Sequence, residues 1–169
     1  MKRVFVDMDG VLCEYRTDAA LCDYERDGYF RELEPRNDML EAVRYLLKNG
    51  SVEVFVLSAV LSQRAEGSVC EKNEWLDRYL PEIDAGHRIF PMCGTNKADA
   101  VEAFSREDVL CDDYSRNLEQ WIARGGKGVK ILNEVNGASE RFQSGPRVRV
   151  QTPEDLLLAI AGTERENAN

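Results

Sequence analysis

The sequence predicts a three-layer α/β/α fold, in which a central parallel β-sheet lies between two layers of helices. Short apolar runs alternate along the chain with amphipathic segments of helical spacing. The runs are continuously apolar, as in VEVFVL at 52–57, which is typical of strands buried on both faces of a parallel sheet. Because 169 residues suit one core, we expect a single domain over 1–163 and a flexible tail over 164–169.

The predicted strands are five buried apolar runs and one further edge strand. In chain order they are VFV at 4–6, VEVFVL at 52–57, RIF at 88–90, VLC at 109–111, GVKIL at 128–132 and VRV at 148–150. The predicted helices cover 38–48, 69–80, 97–104, 115–126 and 152–162. Gly50 and Pro81 should end the first two helices, while Thr152 and Pro153 are residue types that begin a helix.

The composition restricts the partners of the chain. A net charge of −9 argues against binding to duplex nucleic acid, whose backbone favours a basic surface. Five cysteines without a CxxC pair, and one histidine, do not form a zinc motif and indicate reduced thiols. No run approaches the roughly 18 apolar residues of a membrane helix, and the N-terminus has no signal-peptide pattern. We therefore expect a cytoplasmic protein with no membrane partner.

The predicted strands end in acidic and polar residues that share one edge of the sheet. In chain order these residues are Asp7, Asp9, Ser58, Asp112 and Asp113. Parallel α/β sheets bind ligands beyond the carboxyl ends of their strands, so we expect these side chains to converge. A single acid after a strand is an ordinary turn residue. Two aspartates at each of two strand ends favour a functional site instead.

These residue types match the needs of metal-assisted phosphoryl transfer. A carboxylate can attack phosphorus and form an acyl phosphate, and oxygen ligands suit Mg²⁺. The hydroxyl of Ser58 and the ammonium of Lys97, at the start of the predicted helix 97–104, can hold phosphoryl oxygens. Mg²⁺ and Lys97 would also supply the positive charge that the crowded carboxylates require.

Two other interpretations of the acidic residues do not fit. An EF-hand loop beginning at Asp7 needs glycine at its sixth position, but Gly10 stands at the fourth. In a response-regulator receiver, the hydroxyl and the lysine follow the phosphate-accepting aspartate in the chain. Here Ser58 and Lys97 both precede Asp112.

The sequence resembles the haloacid dehalogenase superfamily of phosphohydrolases, which has a Rossmann-like α/β/α core. DMDGV after the first strand resembles the first motif of that superfamily, and VLCDDYSRN resembles the fourth. Ser58 in VFVLSAV and Lys97 in GTNKADAV resemble the second and third motifs. The resemblance implies that Ser58 and Lys97 bind the phosphoryl group of the substrate.

The same resemblance implies roles for the four aspartates. Asp7 would be the nucleophile, and Asp9 would protonate the leaving oxygen and then activate water. Mg²⁺ would be held by the Asp7 carboxylate, the main-chain carbonyl of Asp9 and the Asp112 carboxylate. Asp113 would support that shell or orient a water.

A narrower resemblance is to the 5'(3')-deoxyribonucleotidases, through FRELEPRNDMLEAVRYL at 30–46 and CEKNEWLDRYL at 70–80. Those enzymes close the site with a helical cap whose aromatic residues hold the base. Here we expect only a short cap insertion over about 13–36. Its residues Tyr24, Tyr29 and Phe30 could cover the substrate or anchor the loop, and Lys72 could contact an anion or lie on a solvated helix face.

Together these observations predict a Mg²⁺-dependent phosphomonoester hydrolase that forms an aspartyl-phosphate intermediate. The resemblance favours a 5'-nucleotidase with a nucleoside monophosphate as its small phosphorylated substrate. A sugar-phosphate or phosphoprotein phosphatase of the same superfamily is the alternative among enzymes. A non-catalytic phosphate-binding module is the alternative from another class. The sequence does not specify an oligomeric state.

Overall fold

A single parallel β-sheet forms the centre of the molecule. The structure, a computed structural model, describes residues 1–14, 25–136 and 142–163. Within these ranges six parallel strands lie in the order β3-β2-β1-β4-β5-β6. The strands are β1 (Lys2–Val6), β2 (Val52–Leu57), β3 (Arg88–Ile89), β4 (Val109–Asp112), β5 (Lys127–Ile131) and β6 (Arg147–Val148). The predicted parallel α/β architecture is therefore confirmed.

The register of the three central strands aligns their carboxyl ends. Val6, the last residue of β1, pairs with Val56 of β2 on one side and with Cys111 of β4 on the other. The residues that follow these three positions therefore leave the sheet side by side. This alignment brings the ends of the first, second and fourth strands together at one edge of the sheet.

Helices cover both faces of the sheet. They are α1 (Asn37–Asn49), α2 (Ala65–Tyr79), α3 (Ser115–Ala123) and α4 (Pro153–Gly162). Gly50 ends α1 with φ 66°, and Thr152 begins α4 with a capping box that includes Asp155. In the described part of the chain, no helix combines the length and the apolar character needed to cross a bilayer.

The alternating side chains of β1 supply two separate cores. Val4 and Val6 point into the larger core, which contains apolar residues of α1, α2 and α4. Phe5 points to the opposite face and packs with Trp121 of α3, at 5.3 Å between ring centroids. Each face of the strand is therefore buried, which explains why the run VFV is apolar throughout.

The helix predicted over 97–104 is wrong. Only Lys97–Ala100 form a 3₁₀ turn, which begins where the Asn96 side chain accepts a hydrogen bond from the N–H of Ala98. Ala103 has φ 50°, which a right-handed helix does not allow. Ala98 and Val101 bury their side chains in the smaller core, so one turn is enough to cover that part of the sheet. Helix α2 also begins at Ala65, before the predicted start at residue 69.

Candidate active site

The nucleophile candidate Asp7 is fixed by a tight loop that follows β1. Its N–H donates to the Cys111 carbonyl of β4 at 2.9 Å, which extends the strand pairing by one residue. The Met8 carbonyl accepts hydrogen bonds from the N–H groups of Val11, Leu12 and Cys13. Because the loop turns back so soon, the Asp7 side chain remains at the sheet edge and is only 11% exposed.

Three carboxylates meet beside this loop. One oxygen from each of Asp7, Asp112 and Asp113 lies within 4.8 Å of the others. Burial, together with the negative charges of Asp112 and Asp7, raises the pKa of Asp113 to about 7. The oxygen-only donors of this cluster fit a hard divalent cation such as Mg²⁺.

Lys97 bridges two members of this cluster. Its Nζ lies 3.0 Å from Asp7 Oδ1 and 2.7 Å from Asp112 Oδ2. Burial opposes the charge of this lysine, but the two carboxylates outweigh that effect and raise its pKa above the ordinary value. Asn117, through its Nδ2, also donates to Asp112 Oδ2, at 3.0 Å. The ammonium predicted to bind phosphate thus stands directly beside the candidate nucleophile.

Lys72 lies inside the site and not on a solvated helix face. Helix α2 carries its fully buried side chain to Asp9, where Nζ is 2.5 Å from Oδ2. The same Nζ donates to Ser58 Oγ at 2.8 Å and to the Ala59 carbonyl at 2.9 Å. Lys72 therefore joins the acid–base candidate Asp9 to Ser58, whose hydroxyl is predicted to bind phosphate. An isolated lysine on a predicted helix gives no signal of burial, so the sequence indicates Lys72 only as a possible substrate contact.

Asp113 is held by residues that leave β5 at the same edge. Asn133 Nδ2 donates to Asp113 Oδ2 at 2.8 Å and to the Gly10 carbonyl at 2.9 Å. Asn136 Nδ2 donates to the Asp113 carbonyl at 2.9 Å, and Lys130 Nζ donates to that carbonyl too. These contacts join the loops after β1, β4 and β5. In the sequence the NEVNG segment looks like an ordinary turn, and its one signal is that it leaves the predicted strand 128–132 at the same sheet edge.

The aromatic residues of the expected lid are buried. Tyr29 and Phe30 are each 3% exposed and pack edge to face, with 5.0 Å between their ring centroids. Phe30 also lies against Lys72, whose Nζ is 4.6 Å from the ring centroid. Both residues belong to the larger core, so in this structure they anchor the segment instead of offering a ring face to a ligand. Tyr24 lies outside the described residues.

Solved structures share this fold. D,D-heptose 1,7-bisphosphate phosphatase from Burkholderia thailandensis is 18% identical, with a TM-score of 0.61, and the match covers 94% of this chain and 97% of that one. The corresponding enzyme from B. bronchiseptica, complexed with magnesium and phosphate, is 18% identical, with a TM-score of 0.57. That match covers 99% of this chain and 100% of the other. A comparison with curated proteins gives no match.

The fold and the family match define the class of this protein: it is a phosphohydrolase of the haloacid dehalogenase superfamily, an enzyme that acts on phosphate esters. The chain belongs to the family described as "5' nucleotidase, deoxy (Pyrimidine), cytosolic type C protein", whose sequence model matches residues 18–148. That range includes Ser58, Lys97 and Asp112. The matched range begins after Asp7 and Asp9, so the family match does not include these two residues.

Proposed function

We propose that this protein is a Mg²⁺-dependent phosphomonoester hydrolase that acts through an aspartyl phosphate on Asp7, with nucleoside monophosphates as substrates. One observation carries the proposal: Asp7 shares an ion pair with Lys97 beside Asp112, while Asp9 is tied through Lys72 to Ser58. The site thus brings together a nucleophile, an acid–base group and phosphate-binding donors. The description of the matching family supports the nucleotide as the substrate class.

The acidic cluster is the proposed Mg²⁺ site. The carboxylates of Asp7 and Asp112, with the main-chain carbonyl of Asp9, would hold the ion, and Asp113 lies close enough to contribute directly or through water. Bound Mg²⁺ supplies positive charge that offsets the repulsion between the substrate phosphate and these carboxylates. The magnesium and phosphate complex of the B. bronchiseptica structure is consistent with this assignment.

The proposed reaction has two displacements at phosphorus. In the first, a carboxylate oxygen of Asp7 attacks phosphorus, the bond to the ester oxygen breaks, and Asp9 gives its proton to the leaving alcohol. In the second, a water molecule attacks the phosphorus of the aspartyl phosphate while Asp9 accepts a proton from it. Inorganic phosphate leaves, and the Asp7 carboxylate is restored.

The remaining residues hold groups in place during both steps. Ser58 and Lys97 would bind the phosphoryl oxygens, with the Lys97 ammonium stabilising charge that develops during transfer. Lys72 would orient the Asp9 carboxylate and the Ser58 hydroxyl, since it contacts both. Its three contacts, to Asp9, Ser58 and the Ala59 carbonyl, would fix the position of Asp9 relative to the leaving oxygen.

A panel of phosphate esters tests this function. Phosphate release from nucleoside monophosphates, sugar phosphates and a phosphopeptide is measured with Mg²⁺ and with excess chelator. We expect hydrolysis that requires Mg²⁺ and is fastest with a nucleoside monophosphate. Full activity in chelator contradicts the metal assignment. Faster hydrolysis of sugar phosphates favours the second candidate. The burial of Tyr29 and Phe30 supports that candidate, because it removes these two rings as contacts for a base.

The nucleophile is tested by substitution. Asp7→Asn keeps the shape of the side chain but removes the attacking charge, so we expect turnover at background level. The matched control is Asp99→Asn, an exposed acid in the 3₁₀ turn that pairs only with the exposed Arg124 among the contacts described, and it should retain wild-type kcat. Turnover by Asp7→Asn at the wild-type rate would exclude the covalent mechanism.

A further inference from the structure

The burial of the lid aromatics leaves open which side chains contact the leaving group. Among the described residues, five large apolar side chains are exposed: Met1, Met92, Tyr114, Val135 and Leu158. Met1 starts the chain and Leu158 lies on α4, away from the candidate site. The other three follow β3, β4 and β5, so they belong to the sheet edge that carries the candidate site. Ligand-binding clefts combine a few polar groups with apolar and aromatic side chains, so an apolar side chain at this edge is a candidate for contact with the leaving group.

Tyr114 is the aromatic member of this group and the nearest in the chain to the acidic cluster. It follows Asp113 directly, and 56% of its surface is exposed. Its N–H donates to Asp112 Oδ1 at 2.7 Å, and the other oxygen of that carboxylate is bound by Lys97. Lys97 in turn contacts Asp7. One carboxylate and one ammonium thus connect the Tyr114 backbone to the candidate nucleophile.

The backbone of Tyr114 is held on both sides. Its carbonyl accepts hydrogen bonds from the N–H groups of Asn117 and Leu118, at 3.1 and 3.4 Å, in the first turn of α3. The preceding Asp113 carbonyl is bound by Lys130 and Asn136. An aromatic side chain on such a rigid support can offer its face to a ligand at little cost in conformational entropy.

We infer that Tyr114 is the stacking platform for the planar base of a nucleoside leaving group and determines the preference of this enzyme for nucleotides. The inference rests on the proposed phosphomonoesterase function and specifies its substrate class. Met92 and Val135 are aliphatic and cannot stack on a base in the same way. Tyr29 and Phe30 have no free ring face in this structure.

Kinetics with two esters that differ only in the base test this inference. We measure kcat/KM for thymidine 5'-monophosphate and for 2-deoxyribose 5-phosphate with Mg²⁺. We expect wild-type enzyme to prefer the nucleotide. Tyr114→Ala should reduce the ratio by about 5- to 150-fold, the range for one stacked base. Tyr114→Phe keeps the ring and should keep the ratio, as should Leu158→Ala, an exposed apolar residue on α4.

Binding of the product nucleoside gives a second readout that does not depend on turnover. In saturation-transfer NMR with thymidine, we expect signals from the thymine ring with the wild type and with Leu158→Ala, and their loss with Tyr114→Ala. An unchanged kinetic ratio or an unchanged thymine signal in Tyr114→Ala overturns the inference, as do equal rates for the two esters in the wild type. In these cases the phosphatase function stands. Absence of Mg²⁺-dependent hydrolysis of either ester overturns the proposed function and this inference together.

Discussion

Gly10 is a residue whose backbone and surroundings both require glycine. Its φ of +78° lies in the left-handed region, which side chains with a Cβ rarely adopt. A methyl group there would overlap the Asp113 carboxylate and press on the Asn133 amide. Its carbonyl accepts hydrogen bonds from Arg36 and Asn133. The glycine therefore allows the loop after β1 to approach the loops after β4 and β5.

Substitution of this glycine should affect stability and catalysis together. For Gly10→Ala we expect a loss of about 1–2 kcal/mol from backbone strain, and lower kcat/KM because Asp113 must move. Gly50→Ala is the matched control, since Gly50 has φ +66° but no atom within 4 Å of the added methyl group. It should lower the free energy of unfolding in urea without changing kcat/KM. Equal kcat/KM for both variants would contradict this account of Gly10.

Among the individual residues of the site, the sequence predicts the acidic cluster better than the contacts that support it. Asp7 and Asp112 follow apolar runs directly, so parallel pairing alone places them together. Lys72 and Asn133 reach the site from a helix and from a turn after another strand. Their positions depend on packing between distant segments, and no local pattern of residues reports that packing.

Helix α2 fixes the segment before α1 through one buried carboxylate. Glu71 is 1% exposed and accepts hydrogen bonds from the N–H groups of Gly28 and Phe30, at 2.8 and 3.0 Å. Arg64 contributes a third hydrogen bond, at 2.5 Å. Burial acts to raise the pKa of Glu71, but these three donors outweigh it, and the pKa lies below the ordinary value of 4.5.

The depressed pKa has a definite effect on stability. Ionised Glu71 contributes stability that is present above its unfolded pKa near 4.5 and is lost as pH falls through the lower folded pKa. Glu71→Gln should therefore lose about 1–3 kcal/mol near neutral pH, and the difference from wild type should shrink in acid. Glu41→Gln, at an exposed position of α1, should unfold like wild type across this range. Urea titrations from pH 3 to pH 7 measure the free energy of unfolding of both variants and of wild type. If the loss in Glu71→Gln were the same at every pH, the lowered pKa of Glu71 would not be the cause of its stabilising effect.

The secondary-structure elements differ in how well the sequence predicts them. The strands and the α4 cap are encoded locally, by apolar runs and by a Thr-Pro start. The segment 97–104 has residues that suit a helix, yet the small area left between α3 and β1 accommodates one 3₁₀ turn. The residue types of a segment do not show how much space the rest of the fold leaves for a helix.

The distribution of charge in the whole molecule predicts that Mg²⁺ stabilises the fold. The chain carries a net charge of −9, and three of its carboxylates converge at the centre of the sheet edge. An ion that binds only the folded state adds about 2.7 kcal/mol at 100 times its Kd. For a chain of this size that corresponds to a rise in Tm of about 5–11 °C.

Thermal unfolding in MgCl2 and in NaCl of equal ionic strength measures this effect. We expect the higher Tm in MgCl2, and we expect Asp112→Asn to lose most of the difference because it removes a buried carboxylate of the proposed Mg²⁺ site. Matched ionic strength controls for general screening of the net charge. Identical Tm values in the two salts would show that the acidic cluster does not bind the ion.

The two ends of the sheet have a consequence for self-association. The strands β3 and β6 form its edges, and each consists of only two residues. Another extended chain would find few free N–H and C=O groups with which to continue the ladder. Short edges of this kind protect native sheets from edge-to-edge polymerisation. The folded molecule should therefore resist growth into fibrils through its sheet, even when it is concentrated near its isoelectric point and charge repulsion no longer keeps copies apart.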